Sequence, residues 1–130
     1  MSVDIGLVKR VFNLSEAQKQ FPFVQSITQK HQQELSPLQQ RLSKMLSNDP
    51  RRNALERDYE SVVHRWRTKI EQLGASVSGL WIVEFNLGEG CLSWRHPELS
   101  LNYFRSHHAS FAERVVLQDY IEANDPDWVR

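Results

Sequence analysis

Apolar residues in the first half of the chain recur at helical spacing. From residue 22 to about 47, Val24, Ile27, Leu35, Leu38, Leu42, Met45 and Leu46 fall three and four apart, with His31 in phase. Gln25, Gln29, Gln32, Gln33, Gln39 and Gln40 fill the opposite side. One apolar stripe against one polar stripe predicts an amphipathic helix that needs a partner. Pro37 lies inside this pattern and predicts a bend over residues 33–36. Upstream, Asn13 followed three residues later by Glu16 has the form of a capping box, with Phe12 and Ala17 at the staple positions. Pro22 then either opens a second helix or kinks a continuous one. Residues 47–50, Ser-Asn-Asp-Pro, break the pattern, with Asp49 as a cap and Pro50 at the first position of the next helix. That helix, 50–73, carries Leu55, Tyr59, Val62, Val63, Trp66, Ile70 and Leu73, and Gly74 closes it. The short link predicts an antiparallel hairpin over 9–74.

At Gly79 the rhythm changes to period two. Residues 80–85 and 91–95 read as strands around the turn chemistry of 86–90. Pairing Val83 with Leu92 and Trp81 with Trp94 gathers Trp81, Val83, Phe85, Leu92 and Trp94 on one face. Ile82, Glu84, Cys91, Ser93 and Arg95 take the other. Residues 99–104 alternate again, with Leu99, Leu101 and Tyr103 on one side, and complete a three-stranded antiparallel meander over 79–105. Ser110 and Glu113 form a second capping box that predicts a C-terminal helix over 110–124, a strand beginning at 114–117 being the alternative. Residues 125–130 read as a tail. The expected fold class is α+β: one domain over 1–130, with the hairpin covering the aromatic face of the meander.

Composition narrows the function classes. The 130 residues hold 16 Lys and Arg against 16 Asp and Glu, which argues against an obligate nucleic-acid binder. Arg51, Arg52, Arg57, Arg65, Arg67 and Lys69 on the second helix are diluted by Glu56, Asp58, Glu60 and Glu71, so that surface reads as solvated or subunit-facing. A single cysteine permits no internal disulfide and points to a reducing compartment, the cytoplasm. No apolar run approaches the ~20 residues of a membrane span, and the first residues lack a signal-peptide pattern.

Three clusters carry candidate chemistry. His96, Glu98, His107 and His108 have ligand chemistry suited to zinc or iron, yet their spacing matches no metal motif, and adjacent His107 and His108 point to opposite sides of an extended chain. Glu84, Arg95, Glu98 and Arg114 read either as an ion-pair network locking the meander to the C-terminal segment or as an anion-binding patch built on the arginine fork. Cys91, opposite Glu84 and beside Ser93 and Arg95, reads as packing rather than as a nucleophile. No motif calls for a cofactor.

One set of residues carries a resemblance. Phe12, Leu14, Glu16 and Ala17 lead into the hairpin, Leu73-Gly74 close it, and Cys91-Leu92-Ser93-Trp94-Arg95, Pro97-Glu98, Tyr103-Phe104 and Phe111-Ala112-x-Arg114 follow. Over roughly residues 9–117 the chain resembles a family of short prokaryotic proteins catalogued as a domain of unknown function, number twenty-two-oh-three. The family pattern has Trp-His in its third strand where this chain has Phe104-Arg105, and glycines where it has Ser110 and Glu113. The resemblance implies the architecture and a cytoplasmic, prokaryotic setting, and no reaction.

The helical stripes outrun a sheet only ~20 Å long. Self-association is therefore expected, as a two-fold dimer through the hairpin. The leading expectation is a non-enzymatic binding or scaffold protein. A module for a protein or small-anion partner, and a metal-dependent enzyme using the 96–108 region, are the alternatives.

Overall fold

A computed structural model describes residues 10–124. The expected tail, 125–130, lies outside the described residues. The first helix, α1, runs unbroken over Leu14–Ser43. Its capping box is formed: Asn13 Oδ1 accepts the Glu16 N–H at 2.8 Å, and Glu16 Oε1 accepts the Asn13 N–H at 2.9 Å. The bond from the Asn13 N–H comes first among the causes that hold the Glu16 carboxyl below its ordinary range. Pro22 and Pro37 both sit inside α1. Phe21 and Val24 bracket Pro22 and are buried, so tertiary packing holds the helix through the missing N–H. The second helix, α2, spans Arg52–Gln72. It starts later than expected because Asp49 caps the loop rather than the helix: Oδ1 accepts the Arg51 N–H at 2.9 Å and Oδ2 holds its guanidinium at 2.8 Å. Gly74 follows at φ +92, with Arg10 Cβ 2.7 Å from where a side chain would begin. Both facts require glycine there.

The sheet has five antiparallel strands in sequential order: β1 Ser76–Gly79, β2 Ile82–Asn86, β3 Gly90–Arg95, β4 Tyr103–Ser106 and β5 Val115–Val116. The α+β class stands, with five strands in place of three. β1 escapes period-two reading because Ser, Val, Ser and Gly carry little pattern and a register irregularity falls between Val77 and Gly79. The expected β2–β3 register is off by two: Val83 pairs with Trp94 and Phe85 with Leu92. A two-residue slip preserves the faces, because side chains alternate with period two. Trp81 keeps to the core side without belonging to the strand. At φ 63 it lies in the turn before β2 and packs edge-on against Trp66, centroids 4.7 Å apart.

The third expected strand begins late. Leu99 is 90% exposed. The carbonyls of Leu99 and Leu101 accept bonds from Gln25 and Gln18 of α1 at 3.2 and 3.1 Å. Side chains from a helix satisfy backbone that a strand would have paired. The helix expected over 110–124 is also divided. The Ser110–Glu113 box forms, but it heads a single 3-10 turn, Phe111–Glu113. The chain then pairs as β5 against Tyr103 and Phe104, and α3 covers Leu117–Asn124.

The core lies between the helices and one face of the sheet. Val83, Phe85, Leu92 and Trp94 meet Phe12, Phe21, Val24, Trp66 and Ile70, with Leu117 and Ile121 of α3 at the margin. Phe12–Phe85 and Phe21–Trp94 are edge-on at 5.2 and 5.4 Å. Trp66 Nε1–H donates to buried Thr28 Oγ1 at 2.9 Å and ties α2 to α1. Farther along the hairpin the stripe is only half covered: Leu38, Leu42, Met45, Tyr59 and Val63 are half-buried and Leu46 is exposed.

Candidate functional site

The second face of the sheet is buried too, by the return segment that follows β3. Cross-strand pairing sets Glu84 opposite Ser93 and Cys91 opposite Arg105. Arg105 forks onto Glu84, Nε to Oε2 at 2.8 Å and Nη2 to Oε1 at 2.6 Å. Its Nη1 donates to the carbonyls of Ser106 and Ala109, and Nη2 also reaches Cys91 Sγ at 3.7 Å. All five guanidinium N–H donors are thereby used. The bonds it donates to Glu84 are the leading cause that raises the Arg105 pKa above its ordinary value.

A second fork lies beside the first. Arg114 donates to Glu98 Oε1 at 3.0 Å and Oε2 at 2.8 Å, and to the Ser93 carbonyl at 3.2 Å. Its guanidinium stacks on Phe111 at 3.9 Å and Tyr103 at 4.4 Å. Glu98 Oε1 also accepts the Arg95 N–H at 2.9 Å. Burial pushes the Glu98 carboxyl up, but the bonds from Arg114 and the Arg95 amide, with the charges of both arginines, outweigh it and hold the group below its usual range. Ser93 Oγ, fully buried between the two forks, finds no hydrogen-bond partner.

The sequence model of an uncharacterized conserved protein family, DUF2203, matches residues 10–117. The chain belongs to that family. No match was found among curated proteins or among solved structures.

In this DUF2203 chain three of the four residues read together from sequence fall in two separate ion pairs. Glu98 and Arg114 meet; Glu84 takes Arg105 instead of Arg95, whose guanidinium lies 5.3 Å over Phe111. The histidines are dispersed. His96 is edge-on to Trp94 at 6.1 Å, and its backbone N–H donates to the Trp81 carbonyl. His107 contacts the Gly88 carbonyl through Nε2 at 3.0 Å and Cys91 Sγ through Nδ1 at 3.8 Å. His108 is exposed. Among the described residues no three His, Cys, Asp or Glu side chains are grouped to hold a metal ion. Arg105 is absent from the cluster read from sequence, which gives Glu84 the partner Arg95; in β4 it stands two residues beyond Tyr103, on the same face, opposite Cys91.

The DUF2203 hairpin offers a different kind of surface. Between α2 and β1, Tyr59, Val63, Trp66, Arg67, Val77 and Leu80 border a groove of about 350 Å³. Through Tyr59 it runs into a second hollow of about 380 Å³ with Leu42, Glu56 and Glu60. Among the described residues no helix is long and apolar enough to cross a membrane.

Proposed function

We propose that the chain acts as a non-enzymatic, self-associating binding protein of a reducing cytoplasm, with a second copy docking along the α2–β1 groove. The observation that carries this reading is the continuous apolar strip of Leu42, Tyr59, Val63, Val77 and Leu80 left half-covered beside the sealed core. A strip of this kind on a soluble surface marks an interface. Charge favours a second copy as the occupant. Along one flank of α2, Glu60 precedes Val63 and Arg67 follows it. A two-fold axis at Val63 runs α2 antiparallel to its copy and brings Glu60 of each helix to Arg67 of the other, an isologous match. The i,i+4 pair that Arg67 makes with Glu71 at 3.4 Å is solvent-exposed and readily exchanged.

The closed Glu84–Arg105 and Glu98–Arg114 pairs favour this reading over an anion site, because each guanidinium already holds a carboxylate. The test is sedimentation equilibrium at micromolar concentration. The parent should sediment as two protomers. Val63→Glu should sediment as one with its helical circular dichroism kept, since Val63 is half-buried at the groove rather than in the hairpin seam. Glu60→Arg should weaken the dimer, and Glu60→Arg with Arg67→Glu should restore it. A parent that stays monomeric at every concentration sinks the proposal.

A further inference from the structure

On the polar face of the sheet, apart from the docking strip, one titratable pair has the geometry of an activated thiol. Gly88 supplies only a carbonyl to His107 Nε2 at 3.0 Å, so Nε2 carries the hydrogen and Nδ1 of the neutral ring is an acceptor. Nδ1 is the atom that faces Cys91 Sγ, at 3.8 Å. A nucleophile, a base and a group orienting that base are therefore in line. Arg105 Nη2 also stands 3.7 Å from the sulfur, and its guanidinium holds the Glu84 carboxylate. A second observation points to a ligand. Ser93 lies one pleat along β3 from Cys91, about 7 Å by strand geometry, on the same face. Its buried hydroxyl is the one buried side-chain polar atom without a partner among the described residues.

We propose that Cys91 is a reactive thiol, activated by His107, that is oxidised by a small hydroperoxide. The S–H proton passes to His107 Nδ1 and leaves a thiolate beside an imidazolium. The thiolate attacks one peroxide oxygen; the S–O bond forms and the O–O bond breaks. The departing oxygen takes the proton from Nδ1 and leaves as water or an alcohol. Sulfur is oxidised by two electrons to the sulfenic acid, and the peroxide is reduced by two. Cys91 is only 6% exposed while His107 stands at the surface, so the site admits a small electrophile from the His107 side and excludes a bulky one.

The chain has one cysteine, so every thiol product reports on Cys91. Folded full-length protein is treated with hydrogen peroxide in the presence of a dimedone trap between pH 5 and 9, and adducts are timed by mass spectrometry. The same protein unfolded in urea is the reference. The folded chain should react at least tenfold faster than the unfolded one at pH 6.5, with a rate midpoint below the ~8.5 of an unperturbed thiol. His107→Ala, at an exposed position, should lose at least tenfold and return the midpoint upward. A folded chain that reacts no faster than the unfolded one overturns the proposal even if the variant fails to fold. A fast reaction that His107→Ala leaves unchanged overturns it as well.

Discussion

The sheet buries its two faces by opposite means. Toward the helices, Val83, Phe85, Leu92 and Trp94 meet aromatic rings and aliphatic side chains, and contact there is non-directional. Toward the return segment, Glu84, Cys91, Ser93, Arg105 and Arg114 are held by directed bonds with named partners. Trp94 joins the two: its ring is in the core, and its Nε1–H donates to the Glu98 carbonyl at 2.7 Å. The first face depends on volume filled, the second on each charge having its match. The dry face should therefore tolerate changes of shape that conserve volume. The polar face should tolerate removal of a whole pair better than removal of half of one.

The sharpest test sets one substitution on each face side by side in urea denaturation. Phe85→Ala opens a cavity in the core, with Phe85 fully buried, and is expected to cost about 3–5 kcal/mol. Glu84→Ala leaves the Arg105 guanidinium, only 15% exposed, without its carboxylate, and is expected to cost about 3 kcal/mol. The faces differ in what rescues them. Glu84→Leu together with Arg105→Met should return stability to the parent level, because the desolvation of both charges disappears along with their attraction. No single added substitution beside Phe85→Ala should do the same. If the double variant on the polar face is as unstable as Glu84→Ala alone, the contrast between the faces is wrong.

The same contrast governs what could be read from the chain. Face assignment was legible even where register was not. Val83 and Phe85 reach the core whether paired with Leu92 and Trp94 or shifted by two, since period two protects the face. The hairpin and the Asn13 cap were legible because their signals are local. β1 is not legible as a strand, and β5 is legible only as the alternative to a helix beginning at Ser110. Ser76–Gly79 carries little pattern, and Val115–Val116 is two residues long, so each owes its conformation to the neighbouring strand rather than to its own propensity. The polar site was the least legible part. The partner of Glu84 is 21 residues away across β3, and the approach of His107 to Cys91 depends on where β4 begins. That start is set by Gln18 and Gln25 capturing the Leu101 and Leu99 carbonyls, a contact between segments more than 70 residues apart.

Acid should separate the faces more gently. The Glu98 carboxyl titrates below its ordinary range in the folded chain. A depressed folded pKa contributes stability that is present above the unfolded value of about 4.3 and is lost as pH falls through the folded one. Glu98→Gln should thus cost about 1.5 kcal/mol at pH 7, and the gap between parent and variant should close below about pH 4. Thermal unfolding of the two chains from pH 7 to pH 3 measures that gap. A gap that persists undiminished at pH 3 places its origin in packing against Tyr103 and Phe111 rather than in charge.

The smallest effect has the opposite sign. Ser93 Oγ is buried without a hydrogen-bond partner, in a face where the other polar groups are matched. Folding strips water from that hydroxyl and returns nothing to it, so Ser93→Ala should stabilise the chain by about 0.5–1 kcal/mol, read as a rise of a few degrees in the thermal midpoint. On the dry face a polar atom in this condition would be an isolated defect. Here it lies one pleat from Cys91, and the two readings of it separate by measurement. If Ser93→Ala raises the midpoint and leaves peroxide reactivity at Cys91 unchanged, the hydroxyl is a structural cost and nothing more. If it raises the midpoint while slowing sulfenic acid formation, stability has been given up at this position for a group that meets the incoming oxygen.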